Sequence, residues 1–381
     1  MRDSEPVKAR ARELGFELVG VVPAEPTLES LFYPEWLRRG FHGKMGYLEG
    51  RRGAMRGDPR SLMPSARSVI CAGLVYNAPS PYSTEFESDE EGWVSRYAWG
   101  LDYHAILKER LFALASWIRS EYGRQVKCKV CVDTSPLLER AYAHRAGLGW
   151  IGKNCCLINE RLGSWVFLGE ILTSAELAPD GPAPFRCGTC RRCIDACPTD
   201  ALVEIEGADS PSHALDSRLC IAYWTIELQG SIPEEHRPSV GHHVFGCDIC
   251  QDVCPWNSSR RAAVTDEPAF QPANARPGLR ELAGLTEEEF NARFARTPIE
   301  RSRYEGFLRN LAVAMGNSGN SRFREILEQL AGSPSALVRE HARWALDRLA
   351  ACDGGGNPRQ NERTPLDPDR IGAARTKAVR E

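Results

Sequence analysis

The chain has 381 residues, 42% hydrophobic and 26% charged, which suffices for two or three domains with apolar cores. A formal net charge of −3 excludes a uniformly basic nucleic-acid binder, so any such surface is local. No stretch approaches the roughly 18 consecutive apolar residues that cross a bilayer, and the opening MRDSEPVKARARELGF has neither a signal-type apolar run nor a twin-arginine leader, so a cytoplasmic, soluble monomer with no membrane partner is expected.

Residues 1–180 read as one α/β unit. A short helix over 8–14, closed by Gly15, leads to a strand over 16–22, and the apolar run 68–76 has the composition of a buried strand. Residues 78–92 are acidic and proline-punctuated, which predicts a surface loop. Leu107, Leu111, Leu114 and Ile118 form one apolar stripe on a helix over 105–122. A strand over 125–132 follows, with Val126, Cys128, Val130 and Val132 on one face. Ser135 suits an N-cap and Pro136 the first helical position, so the next helix is expected over 136–146. Gly147 and Gly149 end it, a loop carries Lys153 and Asn154, and 163–173 reads as another strand. A cysteine-rich domain spans 181–257, an irregular connection 258–301, and a helical module 302–350. The module carries three apolar stripes joined by short turns, as in stacked α-helical repeats, and is long enough only for a small appendage. Residues 351–381 lack apolar periodicity and are expected to be disordered. The fold class is α+β: an α/β domain, a ferredoxin-like domain and helices at the end.

Eight of the 14 cysteines lie in or between two runs. The first is Cys187-x-x-Cys190-x-x-Cys193-x-x-x-Cys197-Pro198, the spacing of bacterial ferredoxins, in which the fourth cysteine serves the other cluster. The second is Cys247-x-x-Cys250-x-x-x-Cys254-Pro255, with Val253 where a third cysteine is due; Cys220 is the replacement. Cys187, Cys190, Cys193 and Cys254 are therefore assigned to one 4Fe–4S cluster, and Cys197, Cys220, Cys247 and Cys250 to the other. Structural zinc and disulfides are the alternatives, and two runs ending in Cys-Pro weigh against both. Thiolate ligation again points to a reducing compartment. Cys71, Cys128, Cys131, Cys155, Cys156 and Cys352 read as packed thiols.

A two-cluster module implies a redox partner or substrate in the first domain. Gly147-x-Gly149-x-x-Gly152 matches a nucleotide-binding pattern but follows a helix, so it carries little weight. Asp133, at a strand end ahead of a helix, is the titratable residue that stands out. It could cap the helix, which physics alone favours, or donate a proton, which requires burial to raise its pKa. Arg96, Tyr97, Asp102 and His104 could line a polar pocket or form a surface turn, and Arg56 is a candidate anion contact. His242 and His243 read as structural or substrate-facing. Arg296, Arg301, Arg303, Arg309, Arg322, Arg324, Arg339 and Arg343 could grip phosphates or, among interspersed glutamates, form a solvated face.

These motifs together resemble the epoxyqueuosine reductase family over about residues 5–350. The resemblance rests on Arg56-Gly-Asp-Pro-Arg60, Ser95 to His104, Asp133-Thr-Ser-Pro-Leu-Leu-Glu-Arg140, Arg145 to Asn154, Gly163 to Glu170, both cysteine runs, and Arg309-Asn310 ahead of Gly316-Asn317. One departure is Ser135, where the family usually has glycine. The resemblance implies base-off cobalamin between the α/β and cluster domains, with Arg56, Tyr97, Asp133, Thr134, Lys153, Asn154 and Ser164 as contacts and Asp133 as proton donor. It also implies a HEAT-like module that holds tRNA through Arg303, Arg309, Arg322 and Arg339. The substrate would be tRNA carrying epoxyqueuosine, reduced to queuosine with electrons from an external flavodoxin or ferredoxin. A cobalamin-dependent reductive dehalogenase and a non-catalytic ferredoxin-type carrier are the competing readings; the lack of an export leader and the added helices weigh against the first.

Overall fold

A four-stranded sheet organises the first part of the chain in this computed structural model, which describes residues 1–205 and 212–353. Most of the tail expected to be disordered lies outside the described residues. In chain order the strands are β1 (Leu18–Pro23), β2 (Ser68–Val75), the two-residue β3 (Trp93–Val94), β4 (Cys128–Cys131), the short β5 (Trp150–Ile151) and β6 (Leu157–Ile158), and β7 (Val166–Thr173). The main sheet runs β1-β2-β7-β4 with every neighbour antiparallel, and β2 and β7 pair along their full length from Ser68↔Thr173 to Val75↔Val166. An antiparallel sheet makes this domain α+β, which corrects the α/β reading of residues 1–180. Alternating strands and helices read alike in sequence whichever way the strands run.

Each sheet face is covered by helix, because β2 is buried at every position and must be packed on both sides. α1 (Glu5–Glu13) and α4 (Tyr103–Tyr122) cover one face, where Val7 and Ala11 meet Leu107, Leu111, Leu114 and Ile118 over Ile70 and Ile171. Each leucine or isoleucine of that stripe contributes about 1.5–3 kcal/mol by burial. Between β1 and β2 lie α2 (Glu29–Arg38) and α3 (Gly50–Met55). α5 (Glu139–Arg145) covers the other face, with Tyr142 and Ala143 against Val69, Cys71, Cys131 and Leu172. Two boundaries differ from expectation. β4 spans only Cys128–Cys131, and α5 starts at Glu139 because Ser135 and Pro136 belong to a loop in which Leu137 N donates to Ser135 O.

The cysteine-rich segment holds only short elements and packs between this domain and the terminal helices Arg303–Ser318, Arg324–Ala331 and Ala336–Asp353. Those helices are not set apart. Phe307, Leu311 and Met315 share one core with Trp93, Trp99, Val244 and Phe245, while Val313 joins the core beneath the cysteine runs. Gly319, at φ +70°, closes the first of the three helices in the left-handed conformation that glycine adopts without strain. No helix among the described residues is long and apolar enough to cross a membrane.

Arg309 does not lie on the surface expected of a tRNA contact. It is 1% exposed and donates to Trp224 O (2.5 Å), Leu228 O (2.7 Å), Gly230 O (2.6 Å) and Asn310 Oδ1. Asn310 in turn donates to Thr225 O and Val244 O. The pair therefore fastens the terminal helices to the cysteine-rich segment, and Arg309 has no face to offer RNA. Arg309→Ala strands several buried carbonyls and is expected to lower unfolding stability by about 3 kcal/mol. A urea midpoint indistinguishable from that of the parent protein would contradict this.

Candidate active site and cluster domain

Asp133 follows the end of β4 in a left-handed backbone conformation, φ +47°. For a non-glycine residue this costs about 1–2 kcal/mol, so the surroundings must hold it there. They do so through main-chain atoms. Asp133 N donates to the Glu139 carboxyl, Arg52 Nη2 to Thr134 O at 2.7 Å, and Arg56 Nη1 to Leu137 O at 3.2 Å. Thr134 Oγ1 turns inward to Val132 O.

The Asp133 side chain ends a polar row. Its Oδ2 lies 3.2 Å from His104 Nε2, and His104 Nδ1 lies 2.6 Å from Asp102 Oδ1. Asp102 also caps α4 through His104 N. Burial pulls the His104 pKa down, but hydrogen bonds to both carboxylates outweigh it and raise the value to about 9. At Asp133 burial pushes up, and the opposing hydrogen bond and charge of His104, with the charges of Arg301 and Arg56, hold the carboxyl below its ordinary value. At neutral pH the proton of this pair therefore sits on His104. The net shift at Asp133 is downward, the opposite of what a resting acid would require; its neighbour holds the proton instead.

Three further residues meet here that sequence reading did not join to Asp133. Arg301 Nη1 is 3.9 Å from Asp133 Oδ2, and its Nη2 reaches Glu227 Oε1 at 2.8 Å and Tyr47 Oη at 3.3 Å. Tyr97 packs against Phe245 and Tyr103, and Tyr103 stacks on His104 with ring centroids 4.3 Å apart. Arg56 has a buried Nε without a partner among the described residues. Lys153, Asn154 and Ser164 lie elsewhere, against the cysteine runs. Lys153 Nζ donates to Gly188 O and Cys190 O, Asn154 Nδ2 to Cys250 O, and Ser164 Oγ to Gln251 Oε1. Of the arginines expected to meet tRNA, Arg303 is exposed, Arg322 pairs with Glu90 on the surface, and Arg339 donates to Ser333 O and Pro334 O.

The cysteines gather in two sets. Burial and the neighbouring Cys254, Cys187 and Cys190 raise the Cys193 thiol, while Cys254, pushed to about 12 by burial, feels Cys187 and Cys190. Cys220, raised by burial to about 11, lies near Cys197; Cys247 lies near Cys220 and Cys197, and Cys250 near Cys247 and Cys220. Once ionised, so many thiolates in a partly buried place repel one another unless a cationic core balances them, which is the donor chemistry of iron–sulfur ligation. Cys156, outside both runs, shares a hydrogen bond with Cys250.

Residues 56–134 match the sequence family described as epoxyqueuosine reductase QueG, DUF1730, and residues 186–257 match the 4Fe-4S double cluster binding domain. An epoxyqueuosine reductase of Xanthomonas campestris pv. campestris is 42% identical over 345 residues, 89% of this chain and 94% of that protein. The chain belongs to the epoxyqueuosine reductase family. The Escherichia coli epoxyqueuosine reductase is 37% identical over 357 residues, 92% of this chain and 91% of its own. Among solved structures, an epoxyqueuosine reductase with a tRNA-Tyr epoxyqueuosine-modified stem loop superposes with a TM-score of 0.79 at 28% identity, covering 97% of both chains. A Bacillus subtilis epoxyqueuosine reductase, captured with its aspartate-bearing catalytic loop swung out of the active site, gives 0.78 at 27% identity, also over 97% of both chains.

Proposed function

We propose that this epoxyqueuosine reductase family member reduces the epoxide of epoxyqueuosine in the tRNA anticodon to queuosine. The observation that carries the reading is the likeness, over 97% of both chains, to an epoxyqueuosine reductase solved with an epoxyqueuosine-modified stem loop. Opening the epoxide to an alkene consumes two electrons and two protons and releases water. The two thiol quartets support a pair of 4Fe–4S clusters, Cys187, Cys190, Cys193 and Cys254 holding one and Cys197, Cys220, Cys247 and Cys250 the other, fed singly by an external flavodoxin or ferredoxin. Cobalamin, when bound, supplies a cobalt centre that delivers electrons to an epoxide carbon.

The residues present suit that group. A corrin is fringed with amides, and Arg56, with its spare buried Nε, and Tyr97, packed against Tyr103, offer it a polar and a flat contact, whereas the Thr134 hydroxyl is turned inward to Val132 O. Lys153, Asn154 and Ser164 serve the same site by fixing the α+β domain to the cluster loops. Asp133 passes to the opening oxygen the proton that His104 holds at Nε2, and Asp102 keeps the imidazole oriented and charged. The HEAT-like terminal helices, with Arg303, Arg322 and Arg339, contribute phosphate contacts, and a tRNA substrate places the enzyme in the cytoplasm.

Anaerobic titration of the cluster-loaded protein with cobalamin tests the cofactor. A saturable change in the corrin absorption spectrum is expected at about one equivalent. An unchanged spectrum would return the chain to a plain electron carrier.

A further inference from the structure

Glu170 has no part in the mechanism above, yet it is 0% exposed in the middle of β7. Its register partners are Cys71 of β2 and Cys131 of β4, on the sheet face covered by α5. Neither carboxyl oxygen receives an N–H or O–H from a described residue, and the group it meets is the Glu139 carboxyl at the start of α5. Two ionised carboxylates cannot hydrogen-bond to each other, and in a dry interior they repel without relief. A single proton between them turns the same contact into a hydrogen bond. Glu139 then keeps an oxygen for the main-chain N–H of Asp133, the donor fixed by the left-handed turn.

We propose that Glu170, through a proton shared with Glu139, is a positioning residue that holds the Asp133 turn in its working conformation; this rests on Asp133 being the proton-delivering residue. The electrostatics agree. Burial raises Glu139 to about 8 and Glu170 well above its ordinary value. The groups facing the pair are Asp133 on the loop, Arg140 on α5, Arg56 at the end of α3, and the thiols Cys71 on β2 and Cys131 on β4. Asp133 adds to the rise, Arg140 and Arg56 oppose it, and the thiols stay neutral because burial raises them too. Folded protein therefore binds more protons here than unfolded chain, and stability falls as pH climbs from the ordinary glutamate range through the raised values.

The test compares Glu170→Leu, which lacks a donor, with Glu170→Gln, whose amide donates to the Glu139 carboxylate without titrating. In the holoenzyme Glu170→Leu is expected to lower kcat about a hundredfold with KM for the stem loop unchanged, and Glu170→Gln to restore most of the loss. Between pH 6 and pH 9 the melting temperature of the parent protein should fall further than that of Glu170→Gln; His104 adds the same decline to both. Full activity of Glu170→Leu, or superimposable melting curves for the parent and Glu170→Gln, would overturn the proposal. Should Glu170→Gln fail to fold, Glu139→Gln replaces it, since its amide accepts from Asp133 N and donates to Glu170. If Asp133→Asn in the same assay keeps its activity, the assignment of Asp133 fails, while the melting curves still report on the shared proton.

Discussion

Asp133→Asn is expected to cut single-turnover reduction about 10²–10⁴-fold, the usual worth of a positioned general acid, with both clusters and cobalamin retained. Asparagine keeps the size and a hydrogen-bonding side chain but neither accepts nor passes on a proton. The substitution also acts on its neighbour. His104 is raised to about 9 by the hydrogen bonds it donates to two carboxylates, so losing one charge moves it back toward its ordinary value. A raised histidine stabilises the fold fully below its unfolded pKa, and this contribution disappears as pH climbs through the folded value. The variant should therefore lose stability near neutral pH and show a smaller decline in stability up to pH 9. NMR titration of the imidazole and rapid-quench nucleoside assays read the two effects separately. Near-normal single turnover would remove Asp133 from the chemistry.

Cys220→Ser is expected to abolish turnover and lower bound iron from about eight to about four per chain. The second run has Val253 in place of a cysteine, and Cys220 sits with Cys197 and Cys247. Cys156 is the competitor, because its thiol meets Cys250. Cys156→Ser should keep the full iron content. The reverse pattern, with iron lost from Cys156→Ser and kept by Cys220→Ser, would exchange the two assignments.

The two cysteine runs and the α4 stripe were legible because each depends on spacing within one stretch of chain. Asp133 was legible only as a strand-end carboxylate with two readings, and the structure adds the row behind it. Asp102 and His104 were in view as a possible pocket, but that His104 reaches Asp133, with Asp102 behind it, follows from α4 packing against β4. Tyr47, Glu227 and Arg301 come from three distant segments and carry no local signal. Arg309 was misread for a related reason: beside other arginines on a helix it resembles a solvated phosphate contact, whereas its partners are carbonyls around residue 228, 81 positions away. Ser135 and Pro136 satisfied every local rule for a helix start, yet the bond from Asp133 N to Glu139 keeps that stretch as a loop. Glu170 sits inside an otherwise apolar strand, where a lone carboxylate reads as a solvent-facing position.

The most direct measurement is anaerobic incubation of the cluster- and cobalamin-loaded protein with an epoxyqueuosine-containing tRNA stem loop and a low-potential reductant, followed by nucleoside mass spectrometry. Conversion to queuosine, a product lighter by one oxygen atom, is expected, dependent on cobalamin and lost with Asp133→Asn. Epoxyqueuosine recovered intact from the fully loaded enzyme would contradict it.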